Sequence, residues 1–147
     1  MIQNPIKKMT VDFSVNQIEK AVVRVSEFIH VAKLETTNPI MKQHTIIFSE
    51  SFSLGTRLVI NLNEVSENKT EITIEAQRVV GAFDKSVEIT NANTHIQSFI
   101  NILSSLLQNP DLQPNEQELK NQKNSSINSV IIGVTVVVII LIWLFNK

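Results

Sequence analysis

The sequence predicts an α+β domain, ordered strand, helix, antiparallel meander, helix, followed by one C-terminal transmembrane helix. Three observations carry that expectation. Apolar and polar residues alternate in several short runs, as in strands with one buried face. In two other stretches apolar residues recur at steps of three and four, as on amphipathic helices. From Val130 to Phe145 the chain holds no charged residue, which marks a segment that lies in lipid. The expected boundaries are a soluble α+β domain over residues 1–108, a flexible polar linker over 109–126 and a membrane helix over 127–145.

The first strand is read over residues 6–13, where Met9, Val11 and Phe13 share one side and Lys8, Thr10 and Asp12 the other. The first helix begins at Ser14, which with Gln17 three residues later forms a capping box, while Phe13 and Ile18 occupy the hydrophobic-staple positions. Val15, Ile18, Val22, Val25 and Ile29 then line one face. Valine is a mediocre helix former, so this helix needs a surface to pack on. A further strand is expected within 30–37. Three more runs, 43–52, 57–65 and 70–77, read as an antiparallel meander, the last with Ile72, Ile74 and Ala76 inward and Glu71, Thr73, Glu75 and Gln77 outward. Turn residues at 66–69 separate the final two. The second helix is placed by Ile96, Phe99, Ile100, Leu103, Leu106 and Leu107, with Thr94 and Gln97 as its capping box and Pro110 closing its far end.

Residues 109–126 are rich in Asn, Gln, Lys, Glu and Ser and cannot bury a core. As a coil this tether would span ~20 to 25 Å. The segment 127–145 would rise about 28 Å as a helix, close to the hydrocarbon thickness of a bilayer. Ile127, Val130, Gly133, Trp143 and Phe145 mark it, with Trp143 suited to the interfacial belt. Asn146 and Lys147 alone follow it, which predicts post-translational insertion as a tail anchor. The first ten residues lack the apolar stretch of a secretory signal. Lys120 and Lys123 precede the segment, against Lys147 after it. Together these features predict a single-pass membrane protein with its N-terminal domain facing the cytosol. Ser129 and Gly133 form a small-xxx-small pair that would let two anchors pack closely as a homodimer, but the favoured reading is small residues scattered in a membrane helix.

Composition excludes several chemistries. The net charge of -1 lacks the basic excess of a nucleic-acid binder. The chain has no cysteine, which removes disulfides, thiolate metal sites and cysteine nucleophiles together. The glycines at 55, 81 and 133 are too sparse for a phosphate-cradling loop. His30, His44 and His95 fall in three different elements and read as solvated or capping side chains, not metal ligands. Glu71 and Glu75 share one strand side, which is the polar, solvated one. No cofactor and no catalytic constellation is expected.

The block Phe52-Ser-Leu-Gly-Thr-Arg-Leu-Val-Ile-Asn-Leu62, then Thr70-Glu-Ile-Thr-Ile-Glu75, then the terminal helix, is similar to compact bacterial members of the START and Bet v 1-like (SRPBCC-type) superfamily. With the element order, the resemblance covers residues 7–108 and implies a helix-grip fold. It also implies an apolar cavity between the curved sheet and the last helix, with Phe48, Leu58, Ile60, Ile72, Ile74, Phe99, Ile100 and Leu103 as candidate walls. The plain alternative is that these residues fill one another's space as a dry core. The function expected is that of a tail-anchored module that binds a partner protein or an apolar ligand without catalysis. The alternative is a helix-grip carrier of a small hydrophobic or lipid ligand.

Overall fold

In the computed structural model the described residues are 2–49 and 55–115. They form seven elements, β1 (Ile6–Val11), α1 (Val15–Phe28), β2 (Ala32–Asn38), β3 (Gln43–Phe48), β4 (Thr56–Ser66), β5 (Lys69–Arg78) and α2 (Ser86–Gln108). The five strands make one antiparallel sheet in the order β1-β5-β4-β3-β2. The meander β2 to β5 is therefore sequential, and β1 closes the sheet by pairing with the last strand. Register is set by the alternation in the sequence, because a slip of one residue would turn each apolar set to water. Thus Leu58, Ile60 and Leu62 sit opposite Ala76, Ile74 and Ile72, and Ile46 sits opposite Leu58.

Both helices join the same core. Ile18, Val22 and Val25 of α1, and Ala92, Ile96, Phe99, Leu103 and Leu106 of α2, are buried with the inward residues of β3, β4 and β5 in one cluster. The start of α1 follows the sequence signal. Ser14 Oγ accepts from the Gln17 N–H at 3.4 Å, and Gln17 Oε1 accepts from the Ser14 N–H at 3.0 Å. The helix ends earlier than the apolar stripe suggests, since Ile29 is its extended C-cap. β3 ends at Phe48; positions 50–52 of the expected strand lie outside the described residues.

The start of α2 corrects the expected one. Thr94 and Gln97 do not cap it, for the helix begins at Ser86 and the Thr94 hydroxyl donates to the carbonyl of Thr90 within it. The true N-terminus is satisfied by Glu88, whose carboxylate accepts the N–H groups of Asp84 and Lys85 at 3.2 and 3.3 Å. Those backbone bonds hold the Glu88 carboxyl below the usual range, and Arg78 adds an ion pair at 3.2 Å. Val87, Ile89, Thr90, Asn91 and Asn93 are weak helix formers. Packing of Ala92 and Ile89 onto the core overrides that preference.

On the sheet's other face, Arg57 Nε and Nη2 each donate to the Glu35 carboxylate at 2.9 Å, reaching across β3 from β4 to the bulge in β2. At its far end α2 gives way to a turn that comes back onto α1, where Arg24 donates to the carbonyls of Pro110 and Leu112.

Candidate binding site

The eight candidate wall residues come together in and against one core cluster. Phe48, Leu58, Ile60, Ile72, Ile74, Phe99 and Leu103 are fully buried in the core cluster, and Ile100 packs half-buried against it.

Space opens at the margin instead. Between β1 and α2 lies a gap of about 150 Å³, with Met9, Val11 and Phe13 on one side and Ile100, Leu103 and Leu107 on the other. Ser104 and Gln108 stand at its rim. The gap exists because β1 contributes only half-buried side chains, Met9 and Val11, where the interior strands contribute buried ones. It is smaller than the ~300 Å³ at which drug-sized ligand pockets begin. Sequence reasoning placed Met9, Val11 and Phe13 on one strand face but assigned them no site, because the partner of that face is a tertiary fact.

A wider depression, about 790 Å³, is bordered by Glu19, Val23 and His44 and also by Gln17, Arg24 and Leu106. At 100° per residue the first set lies on one flank of α1 and the second on the other. The convex helix separates them, so they do not converge on one ligand.

Two histidines overturn the expectation of solvated or capping side chains. His44 is 1% exposed and His95 is also buried. His44 points inward because it shares strand parity with Ile46 and Phe48, and His95 lies one helical turn before Phe99; both signals are in the sequence. The His95 ring stacks on Phe48 with centroids 4.6 Å apart. His44 Nδ1 meets Thr37 Oγ1 at 3.3 Å, while Nε2 has no hydrogen-bond partner among the described residues and faces Glu19 Oε1 at 3.8 Å. Glu19 in turn receives Lys42 Nζ at 3.2 Å. Burial pushes the His44 imidazole below its ordinary pKa; Glu19 opposes that shift and Lys42 adds to it. His30 is exposed.

Among the described residues no group of three His, Cys, Asp or Glu side chains gathers at metal-binding distance. Glu71 and Glu75 lie on the outer sheet face, where Glu75 Oε1 accepts from Asn4 Nδ2 at 2.7 Å. No helix among the described residues is long and apolar enough to cross a membrane. Ile127, Val130, Gly133, Trp143 and Phe145 lie outside the described residues.

No protein-family model and no curated protein matches the chain. Solved structures do. An uncharacterized protein from Bacillus thuringiensis superposes with a TM-score of 0.54 at 9% identity, over 73% of this chain and 100% of its own. A START superfamily protein from Mycobacterium smegmatis superposes with a TM-score of 0.52 at 8% identity, over 71% of this chain and 97% of its own. The fold is a helix grip. The di-domain ARO/CYC BexL from the BE-7585A biosynthetic pathway shares it, with a TM-score of 0.52 at 13% identity over 76% of this chain and 49% of that one. At such identities the likeness concerns the path of the backbone. In this helix grip, α2 packs against β4 and β5 and leaves a gap beside β1.

Proposed function

We propose that the chain is a membrane-tethered helix-grip module that binds a small apolar ligand, or the end of a longer one, without catalysis. Its binding seat is the gap between β1 and α2. The observation that carries this reading is the set of six apolar side chains, Met9, Val11, Phe13, Ile100, Leu103 and Leu107, facing each other across a space that the core leaves unfilled. The helix-grip relationship supports a ligand seat between sheet and last helix, and the size of the gap fits a chain segment better than a whole ligand. A carrier that swallows its ligand is disfavoured by the gap's volume of about 150 Å³. Catalysis is disfavoured because, among the described residues, no titratable groups converge on the gap. The uncharged segment from Val130 to Phe145 supports a single-pass tail anchor with the domain on the cytosolic side. The polar composition of residues 109–126 supports reading them as a tether.

The test is photolabelling of the full chain in membranes with a diazirine-bearing fatty acid, followed by mapping of the modified peptides. Labelling should concentrate on the segments that contain Met9 and Ile100. Ile100→Trp, which fills the gap from a half-buried position, should cut labelling there by roughly tenfold, the loss expected when a bulky side chain occupies an apolar seat. Labelling spread evenly over the domain, or unchanged in that variant, would remove the ligand reading.

A further inference from the structure

The turn between β2 and β3 exposes Ile40 and Met41, 91% and 68% accessible, the two most exposed large apolar side chains among the described residues. They are adjacent in the chain, and the turn that presents them is pinned. Asn38 Oδ1 accepts the Met41 N–H at 3.0 Å, Lys42 holds a left-handed φ of 49°, and the Lys42 carbonyl accepts the Leu62 N–H at 2.9 Å. A turn fixed in this way cannot fold its apolar pair back onto the core. Lys42, the neighbouring charge, is drawn toward α1 by Glu19 at 3.2 Å.

We infer that this hairpin tip is a second membrane contact, in which Ile40 and Met41 insert into the interfacial layer of the same bilayer that holds the C-terminal segment. The inference rests on the membrane-tethered reading. Two side chains are far too small for a stable protein interface, which takes about 800 Å² per partner. They suffice for lipid because a tether turns the second contact into an intramolecular event at high effective concentration. A projecting apolar turn meets the acyl boundary as the apolar face of an interfacial helix does. Since Lys42 is already paired, the contact is apolar and should be insensitive to salt.

The chain contains no cysteine and a single tryptophan, Trp143, so two independent probes are available in the full chain reconstituted into phosphatidylcholine vesicles. A nitrobenzoxadiazole dye on Met41→Cys reports the tip, and quenching of Trp143 by brominated lipid reports the anchor. Headgroup-region spin-labelled lipid should quench the tip dye about twofold. The same dye on Ser86→Cys, beyond the end of β5 remote from this turn, should not be quenched. Adding Ile40→Asp to the labelled protein should abolish tip quenching while Trp143 quenching persists. Quenching of both Trp143 and the tip supports the inference. Quenching of Trp143 without the tip, or equal quenching at positions 41 and 86, overturns it and leaves the tether standing. Quenching of the tip alone removes the tether and overturns the inference that rests on it; quenching of neither removes both. A dye shielded from water but untouched by lipid quenchers marks a protein contact and overturns the inference.

Discussion

His44 is a buried base with one ring nitrogen lacking a hydrogen-bond partner among the described residues, and its lowered pKa links it to stability. An imidazole whose folded pKa lies below its unfolded value of about 6.5 binds protons more weakly in the native state. Its full contribution is therefore present above pH 6.5 and is lost as pH falls from there toward the folded value. Between about pH 7.5 and 5.5, a range in which ordinary carboxylates stay largely ionised, this should lower unfolding free energy by up to about 1 kcal/mol. Urea denaturation at the two pH values measures it. His44→Gln keeps a polar partner for Thr37 and removes the titration, so the two curves should converge; an unchanged pH dependence would locate the effect elsewhere. The inward direction of His44 was legible from strand parity with Phe48. Its distance from Glu19 was not, since the two residues come together only when α1 lies on β3.

At the scale of elements, the two helices show opposite degrees of legibility. The entry to α1 is a local event, a serine and a glutamine three residues apart, and the bonds form where the spacing puts them. Ser14→Ala should cost about 1 kcal/mol, a fall of roughly 5 °C in Tm for a domain of this size, read by thermal circular dichroism. A change under a degree would mean that the staple residues alone fix the helix start. The entry to α2 depends on Arg78 and Glu88 meeting at the end of β5, and the residues there favour helix weakly. Local pattern consequently pointed to Thr94, a mid-helix residue. The strands of the meander were legible because alternation and register are the same fact seen in one strand and in two.

For the molecule as a whole, the compact unit runs Met1–Gln113, five residues beyond the end of α2. Those last residues matter because Arg24 donates to the Pro110 and Leu112 carbonyls and Leu112 packs against the core. A chain cut after Asn115 should unfold in one cooperative transition. A cut after Gln108 should lose about 1 to 3 kcal/mol through the missing hydrogen bonds and apolar contact. Equal stability of the two fragments would show that the return turn contributes nothing. Helical periodicity stops at 108, while packing against the core continues to Leu112.

By itself the sequence determined the α+β class, the strand–helix–meander–helix order, the α1 cap, the inward face of each interior strand and the uncharged segment from Val130 to Phe145. All of these are written in local spacing, in periods of two and 3.6 residues or in an unbroken apolar run. Tertiary structure alone decided that the candidate wall residues gather in one cluster, that a gap lies between β1 and α2, and that Ile40 and Met41 are exposed on the domain surface. Each of those outcomes depends on which surfaces meet and how completely. Spacing along the chain states that a face is apolar, but the distance to whatever covers it is set by residues far away in sequence.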